Sequence, residues 1–207
     1  MIAKLPQLRV AVRKGADADI ALRLETSILK FSAISAMTQS APLRVTSTGH
    51  GLLDQWHAAI VDAHGMTELN AVDSNAIRDS EFHQISVVDA NTVEFNGISS
   101  AGFRPYTSGG YLAYYEPMGL SGYTSARADI KTRVGGDVAL ALNTDDGTLE
   151  IDAASGTLFI RLDEGSLSAI PAREYFFDVE LVGPGVVDAI CSAESVFEVF
   201  PEVTTSV

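Results

Sequence analysis

The chain contains a single cysteine, Cys191, so no disulfide can form within it. That residue lies in the apolar run VVDAICSA, where it reads as a small buried hydrophobe. Basic residues are scarce: 14 Lys and Arg stand against 27 Asp and Glu, a formal net charge of −13. A nucleic-acid backbone or an anionic membrane surface calls for the opposite balance, so neither is expected as a partner. No apolar run approaches membrane-spanning length. The opening MIAKLPQLRV lacks the apolar core of a secretory signal, and the expectation is synthesis in a cytoplasm. There is no Gly-x-Ser-x-Gly elbow, no glycine-rich phosphate loop before a helix and no cysteine pair for zinc. Accordingly no catalytic, cofactor-binding or metal-binding residue is expected, and the chain reads as a non-enzyme.

What the chain has is apolar content and turns. Hydrophobic residues make up 46% of its 207 positions, enough for a packed core. Short period-two runs alternate with glycine-bearing turns, the pattern of antiparallel β structure. Leu8, Val10 and Val12, then Ile20, Leu22 and Leu24, read as a hairpin around Arg13–Asp17. From Gly122 the alternation is regular: Ala126, Ala128, Ile130; Val138, Leu140, Leu142; Leu149, Ile151; Leu158, Ile160, Leu162; Tyr175, Phe177, Val179, Leu181. Asp163 to Ile170 reads as a short helix ended by Pro171, and Val186–Ser192 and Ser195–Phe200 as the last strands. About six strands after Gly122 fall short of a full sandwich, and the two early strands would complete it.

Between these parts lies a different stretch. Leu43–Ser47 opens it, Ala58–Val61 is a short apolar run, and Met66–Asn70 reads as one helical turn. Asn70–Glu81, NAVDSNAIRDSE, has no period and reads as an exposed loop. Phe82–Val88 and Thr92–Phe95 are paired strands, and Tyr111–Tyr115 is an aromatic-rich one. Glu25 to Met37, with Ile28, Leu29, Phe31 and Ile34, fits neither period and reads as a short strand or linker.

Two sets of motifs resemble known families. VTSTGHGL, GMTELN, VVDANTVEFNGI and YTSGG resemble a small β module of phage structural proteins. That module is itself similar to the first catalytic cysteine half-domain of ubiquitin-activating enzymes; the likeness is one of architecture and implies no ubiquitin chemistry. Asp54-Gln55-Trp56 stands where that pattern has Gly-Asp, and Ala71–Glu81 is extra. VRKGADADIALRL, LSGYTSARADIKTR, LEIDAASGTLFIRL and AREYFFDVEL resemble phage immunoglobulin-like domains, nearest to the N-terminal domain of baseplate upper proteins.

Together the patterns and resemblances imply an all-β chain: a discontinuous immunoglobulin-like antiparallel β-sandwich from residues 1–36 and 116–207, with a small β-barrel-like module, 37–115, inserted. They imply a bacteriophage virion protein of the tail, baseplate or fibre-attachment region, found in the virion. Its partners would be other phage structural proteins and copies of itself. A capsid decoration (cement) protein is the alternative, and a host-glycan-binding or depolymerising tail module a second one. Tail depolymerases are usually far longer or visibly repetitive, and no repeat is present.

Trp56, Tyr106, Tyr111, Tyr114 and Tyr115 are the candidate interface residues, because aromatic side chains bury much area at low entropic cost. For Tyr111 and Tyr115 a place in the module's own core is an equal expectation. His50, His57 and His64, seven residues apart, match no compact ligand motif and read as structural. Asp145-Asp146-Gly147 reads as a hairpin turn rather than a calcium loop, since a strand follows at once.

Overall fold

A computed structural model describes residues 7–202. In chain order the strands are β1 (Arg9–Arg13), β2 (Ala18–Arg23), β3 (Glu25–Ala33), β4 (Ala36–Met37), β5 (Leu43–Thr46), β6 (His57–His64), β7 (His83–Asp89) and β8 (Thr92–Phe95). They continue as β9 (Ser108–Pro117), β10 (Ser125–Lys131), β11 (Val138–Asn143), β12 (Leu149–Asp152), β13 (Thr157–Leu162), β14 (Glu174–Gly183), β15 (Val186–Ala189) and β16 (Ser195–Phe200). One short helix, α1 (Glu164–Ser168), stands between β13 and β14. The fold is all-β, with sheets that are antiparallel apart from one strand pair.

The chain divides into two compact units. A flanking unit is built from residues up to Leu24 and from Gly119 onward, and a central unit spans Glu25–Met118. The expected boundaries, 36/37 and 115/116, therefore shift. Residues 25–33 are not a linker from the sandwich but strand β3, which pairs with β9 inside the central unit. Their apolar residues fit neither period because the pairing slips by a bulge between Glu25 and Leu29.

The flanking unit is a sandwich of two sheets. One has the order β1-β16-β14-β10-β11, with β15 beside β14; the other has the order β12-β13-β2. The hairpin expected from β1 and β2 does not form. β1 runs parallel to β16, and β2 pairs antiparallel with β13 in the opposite sheet. Both strands alternate as expected, but alternation reports only that one side is buried, not which sheet supplies the neighbour. In β14, Tyr175, Phe177, Val179 and Leu181 point inward, and the T-shaped ring pair Phe177–Phe197 (6.0 Å) ties β14 to β16. Each such buried side chain contributes roughly 1.5–3 kcal/mol relative to exposure. Helix α1 starts where the Asp163 carboxylate accepts Ser166 N–H at 2.6 Å, a side-chain N-cap, and it buries Leu167.

The central unit is a single sheet of order β3-β9-β6-β7-β8-β5-β4. Its end strands, β3 and β4, are consecutive in the chain, so the sheet curls until its ends meet. At that seam Ser32 and Ser47 share a hydroxyl–hydroxyl bond of 2.6 Å, and Ser35 N–H donates to Thr46 C=O at 2.8 Å. Leu43, Val45, Trp56, Ile60, Met66, Ile85, Phe95 and Leu112 fill the interior. The expected helical turn at Met66–Asn70 is a single hydrogen-bonded turn, Asn70 N–H to Thr67 C=O at 3.2 Å, that does not continue into a helix and lies beside β6. There the Asn70 amide donates to Ala63 C=O and accepts from Ala63 N–H (2.9 and 3.0 Å), as a neighbouring strand would. Glu25 lies opposite Pro117, so the chain enters and leaves this unit at one place.

Candidate functional site

The five candidate aromatics separate into core and surface. Trp56 is 1% exposed. It follows a turn in which Gln55 takes a left-handed φ of 61°, and its indole N–H donates to Tyr115 C=O at 2.9 Å. Tyr114 is also buried, its hydroxyl donating to His50 C=O. Both are corrections to the interface expectation: the interior of the curled sheet takes up the ring, and a backbone carbonyl satisfies its polar atom. Tyr106 is half-buried, and its hydroxyl lies 3.0 Å from Ile34 C=O and 2.9 Å from Gly109 C=O, joining the end of β3 to β9. Burial pushes the Tyr106 and Tyr114 phenols above their ordinary value, so both stay neutral donors.

Tyr111 and Tyr115 lie on the outer face of β9. Register places Leu29, Phe31 and Ala33 of β3 beside Tyr115, Ala113 and Tyr111, and Ala59 and Val61 of β6 beside Ala113 and Tyr111. This face is therefore a continuous apolar stripe across three strands. One half of it is covered. Ala59, Val61 and Ala113 are buried under Leu29, Ala71, Ile77 and Phe82, and Phe82 stacks on Tyr115 (5.6 Å, 29°). The other half is open. Phe31 (49% exposed) and Tyr111 (45%) meet edge to face at 6.4 Å. Phe31, a site residue beyond the five aromatics named above, sits in a strand whose sequence fits neither period. The signal for the covered half was the unbroken run Ala58–Val61, since a strand buried on both faces loses its alternation.

The segment 71–82 is thus not simply an exposed loop. Ala71 N–H donates to Ile60 C=O at 2.7 Å, and Ile77 and Phe82 pack downward, while Val72, Asp73 and Arg78–Ser80 face solvent. The Glu81 carboxylate accepts Val72 N–H and Arg78 N–H, each at 2.8 Å, and these bonds hold it below the usual carboxylate range.

The histidines do not form a cluster; among the described residues no group of three His, Cys, Asp or Glu is arranged to hold a metal ion. His50 is buried, with Nδ1 accepting Leu52 N–H and Nε2 3.0 Å from Asp89 C=O. That pairing selects the tautomer protonated at Nε2, which fastens the Gly49–Leu52 turn to the end of β7. Asp146 closes the β11–β12 turn by accepting the Thr148 hydroxyl (2.6 Å), Thr148 N–H (2.9 Å) and the Asn143 amide (2.8 Å). A shallow hollow of about 360 Å³ in the flanking unit is lined by Asp17, Asp19, Asp146, Asp163 and Arg161. Its carboxylates are engaged: Asp17 accepts Glu164 N–H, Asp163 caps α1, and Asp19 faces Arg161 at 3.7 Å. Cys191 is buried, and desolvation pushes its thiol up, away from the reactive thiolate.

No model of a known protein family matches this chain, and no curated protein matches it in sequence. The candidate site is therefore defined by geometry alone: the open apolar face of the central unit around Phe31 and Tyr111.

Proposed function

We propose that this chain is a structural protein of a bacteriophage particle, a component of the tail, baseplate or fibre-attachment region that works by assembly rather than catalysis. One observation carries the reading. The central unit, entered and left at adjacent strands, holds two aromatic rings, Phe31 and Tyr111, on an open face. Such a patch is a contact surface, because exposed aromatic area is stabilised by exclusion from water against a partner. The motif resemblances support placing the contact within a phage particle, and the immunoglobulin-like reading of the flanking sandwich belongs to the same proposal. The flanking unit anchors the chain to neighbouring subunits, and the central unit makes the second contact. Repetition in a symmetric array supplies avidity from individually weak contacts.

The test is the protein content of purified particles. Incorporation of the chain at a copy number of tail symmetry supports the reading. Hundreds of copies would move it to the capsid surface as a decoration protein, and absence from the particle sinks it. The variant Phe31→Ser/Tyr111→Ser is expected to remain folded and to lose incorporation.

A further inference from the structure

The outer face of β3-β9-β6 is one apolar surface under two conditions, half open and half beneath chain 71–82. The two ends of that segment are held differently from its middle. At one end Ala71 continues the hydrogen bonding of β6, and at the other Phe82 stacks on Tyr115 before β7 begins. Between them the bonds are local, such as Ala76 N–H to Asp73 C=O at 3.1 Å and Asn75 N–H to the Asp73 carboxylate at 2.9 Å, and the Glu81 carboxylate is the group that ties the two ends of the segment together. Glu81 receives Val72 N–H with one oxygen and Arg78 N–H with the other. Ile77 is the side chain of the middle that reaches the face, and it is only partly buried.

We propose that residues 72–81 form an acid-released strap, with the Glu81 carboxylate as its fastening, so that the area of open apolar surface on the central unit depends on pH. A deprotonated carboxylate accepts on both oxygens, whereas a protonated one presents a hydroxyl that competes with an N–H for the same position. The charged groups that act on Glu81 lie on the strap itself: Arg78 favours the carboxylate and Asp73 opposes it. On the strands packed beneath, Lys30 of β3 and Glu116 of β9 pair with each other at 3.2 Å. Asp62 of β6 has a left-handed φ of 54°, and His57 and His83 stand where β6 meets β7. The sign follows from the lowered value of Glu81: its bonds are fully present above the ordinary carboxylate range and are lost as pH falls through the value in the folded chain. Release would lift Ile77 from the buried cluster of Ala59, Val61 and Ala113, beside the surface already open at Phe31 and Tyr111.

Amide hydrogen exchange on the full chain, corrected for intrinsic rate, tests this together with binding of anilinonaphthalene sulfonate. Glu81→Gln leaves a single carbonyl oxygen for two donors and mimics the released state at neutral pH. The expected result is a loss of about tenfold or more in protection at Val72 and Arg78, with increased dye binding, in wild type at about pH 3 and in E81Q at about pH 7. The paired amides of β6 and β9 keep their protection. Glu68→Gln, which removes a carboxylate bonded to Arg104 instead, changes none of these. E81Q behaving as wild type at neutral pH would overturn the proposal. So would loss of protection throughout β6 and β9, because the strap would then be part of the unit's fold rather than a cover that leaves it.

Discussion

The outward faces of the two units are built on opposite principles. In the flanking unit the solvent side of the larger sheet is a lattice of charge: Arg127 meets Glu180 at 2.6 Å, and Arg9 meets Glu174 and Glu198 at 2.9 and 2.6 Å. In the central unit the outer side of β3-β9-β6 is apolar, closed at one half by the strap and open at the other. Strands of the first kind need one covered face and alternate cleanly. A strand such as β6, with the burial pattern iBBBBeBe, needs two covers, and the chain supplies the second from its own loop. The stretch whose strand pattern is least regular is also the one that carries the open apolar surface.

The strongest challenge to this contrast is whether the units are thermodynamically separate. Phe95→Ala in the central core and Phe177→Ala in the flanking core each create a large cavity, and each is expected to cost about 3–5 kcal/mol in its own unit. The single tryptophan, Trp56, reports the central unit in denaturant titrations, while far-UV circular dichroism reports both. Phe95→Ala should move the fluorescence midpoint and Phe177→Ala should leave it in place. Equal shifts would mean one cooperative block and would end the comparison.

Next in size is the β6–β9 pairing on which the apolar face stands. Gly110 has a φ of 85°, and a Cβ there would lie 2.7 Å from Ala63 Cα. Gly110→Ala is therefore expected to cost about 1–3 kcal/mol and to do so in the fluorescence-detected transition. A neutral substitution would show that this left-handed residue and its close approach to Ala63 are not needed to hold the face.

Smaller effects belong to the charged side. Asp146 is held below its ordinary value first by the Thr148 hydroxyl and then by Thr148 N–H. Its contribution is present above the unfolded carboxylate value and is lost as pH falls through the lowered folded one. Asp146→Asn should flatten the acid limb of the flanking unit's stability curve and leave Trp56 unfolding unaltered; an unchanged acid limb would contradict the assignment. Smallest is Arg127→Ala. With the partners 64% and 33% exposed, the loss should be at most about 1 kcal/mol and should fade with added salt. A larger, salt-insensitive loss would mean that the lattice does more than solvate the sheet.

Much of the strand inventory was legible because alternation maps directly onto pleat geometry. Thr92–Phe95 and Ser195–Phe200 fall where the pattern places them, and α1 falls within the stretch before Pro171. Alternation does not separate a β1–β2 hairpin from the observed crossing, because a short turn can lead either back along one sheet or across to the other, and both keep the same alternation. The candidate site was half legible. Residue type singled out Trp56 and Tyr114 together with Tyr111, but enrichment of aromatics at interfaces and in cores is the same enrichment. Phe31 was hidden in a bulged strand, and the strap in a loop whose face-packing residues, Ala71, Ile77 and Phe82, are spaced for neither a helix nor a strand.

By itself the sequence determined local matters: β structure throughout, turns at glycine-bearing positions, an acidic surface, and one cysteine among apolar neighbours. Those follow from side-chain period, backbone freedom and charge, which each short segment carries with it. Only the tertiary structure decided which sheet each early strand joins, which tyrosine faces water, and that the half-open stripe at Phe31 and Tyr111 continues beneath residues 71–82. These depend on strand partners far apart in the chain, and the free energy that selects them is burial shared among segments rather than a property of any one.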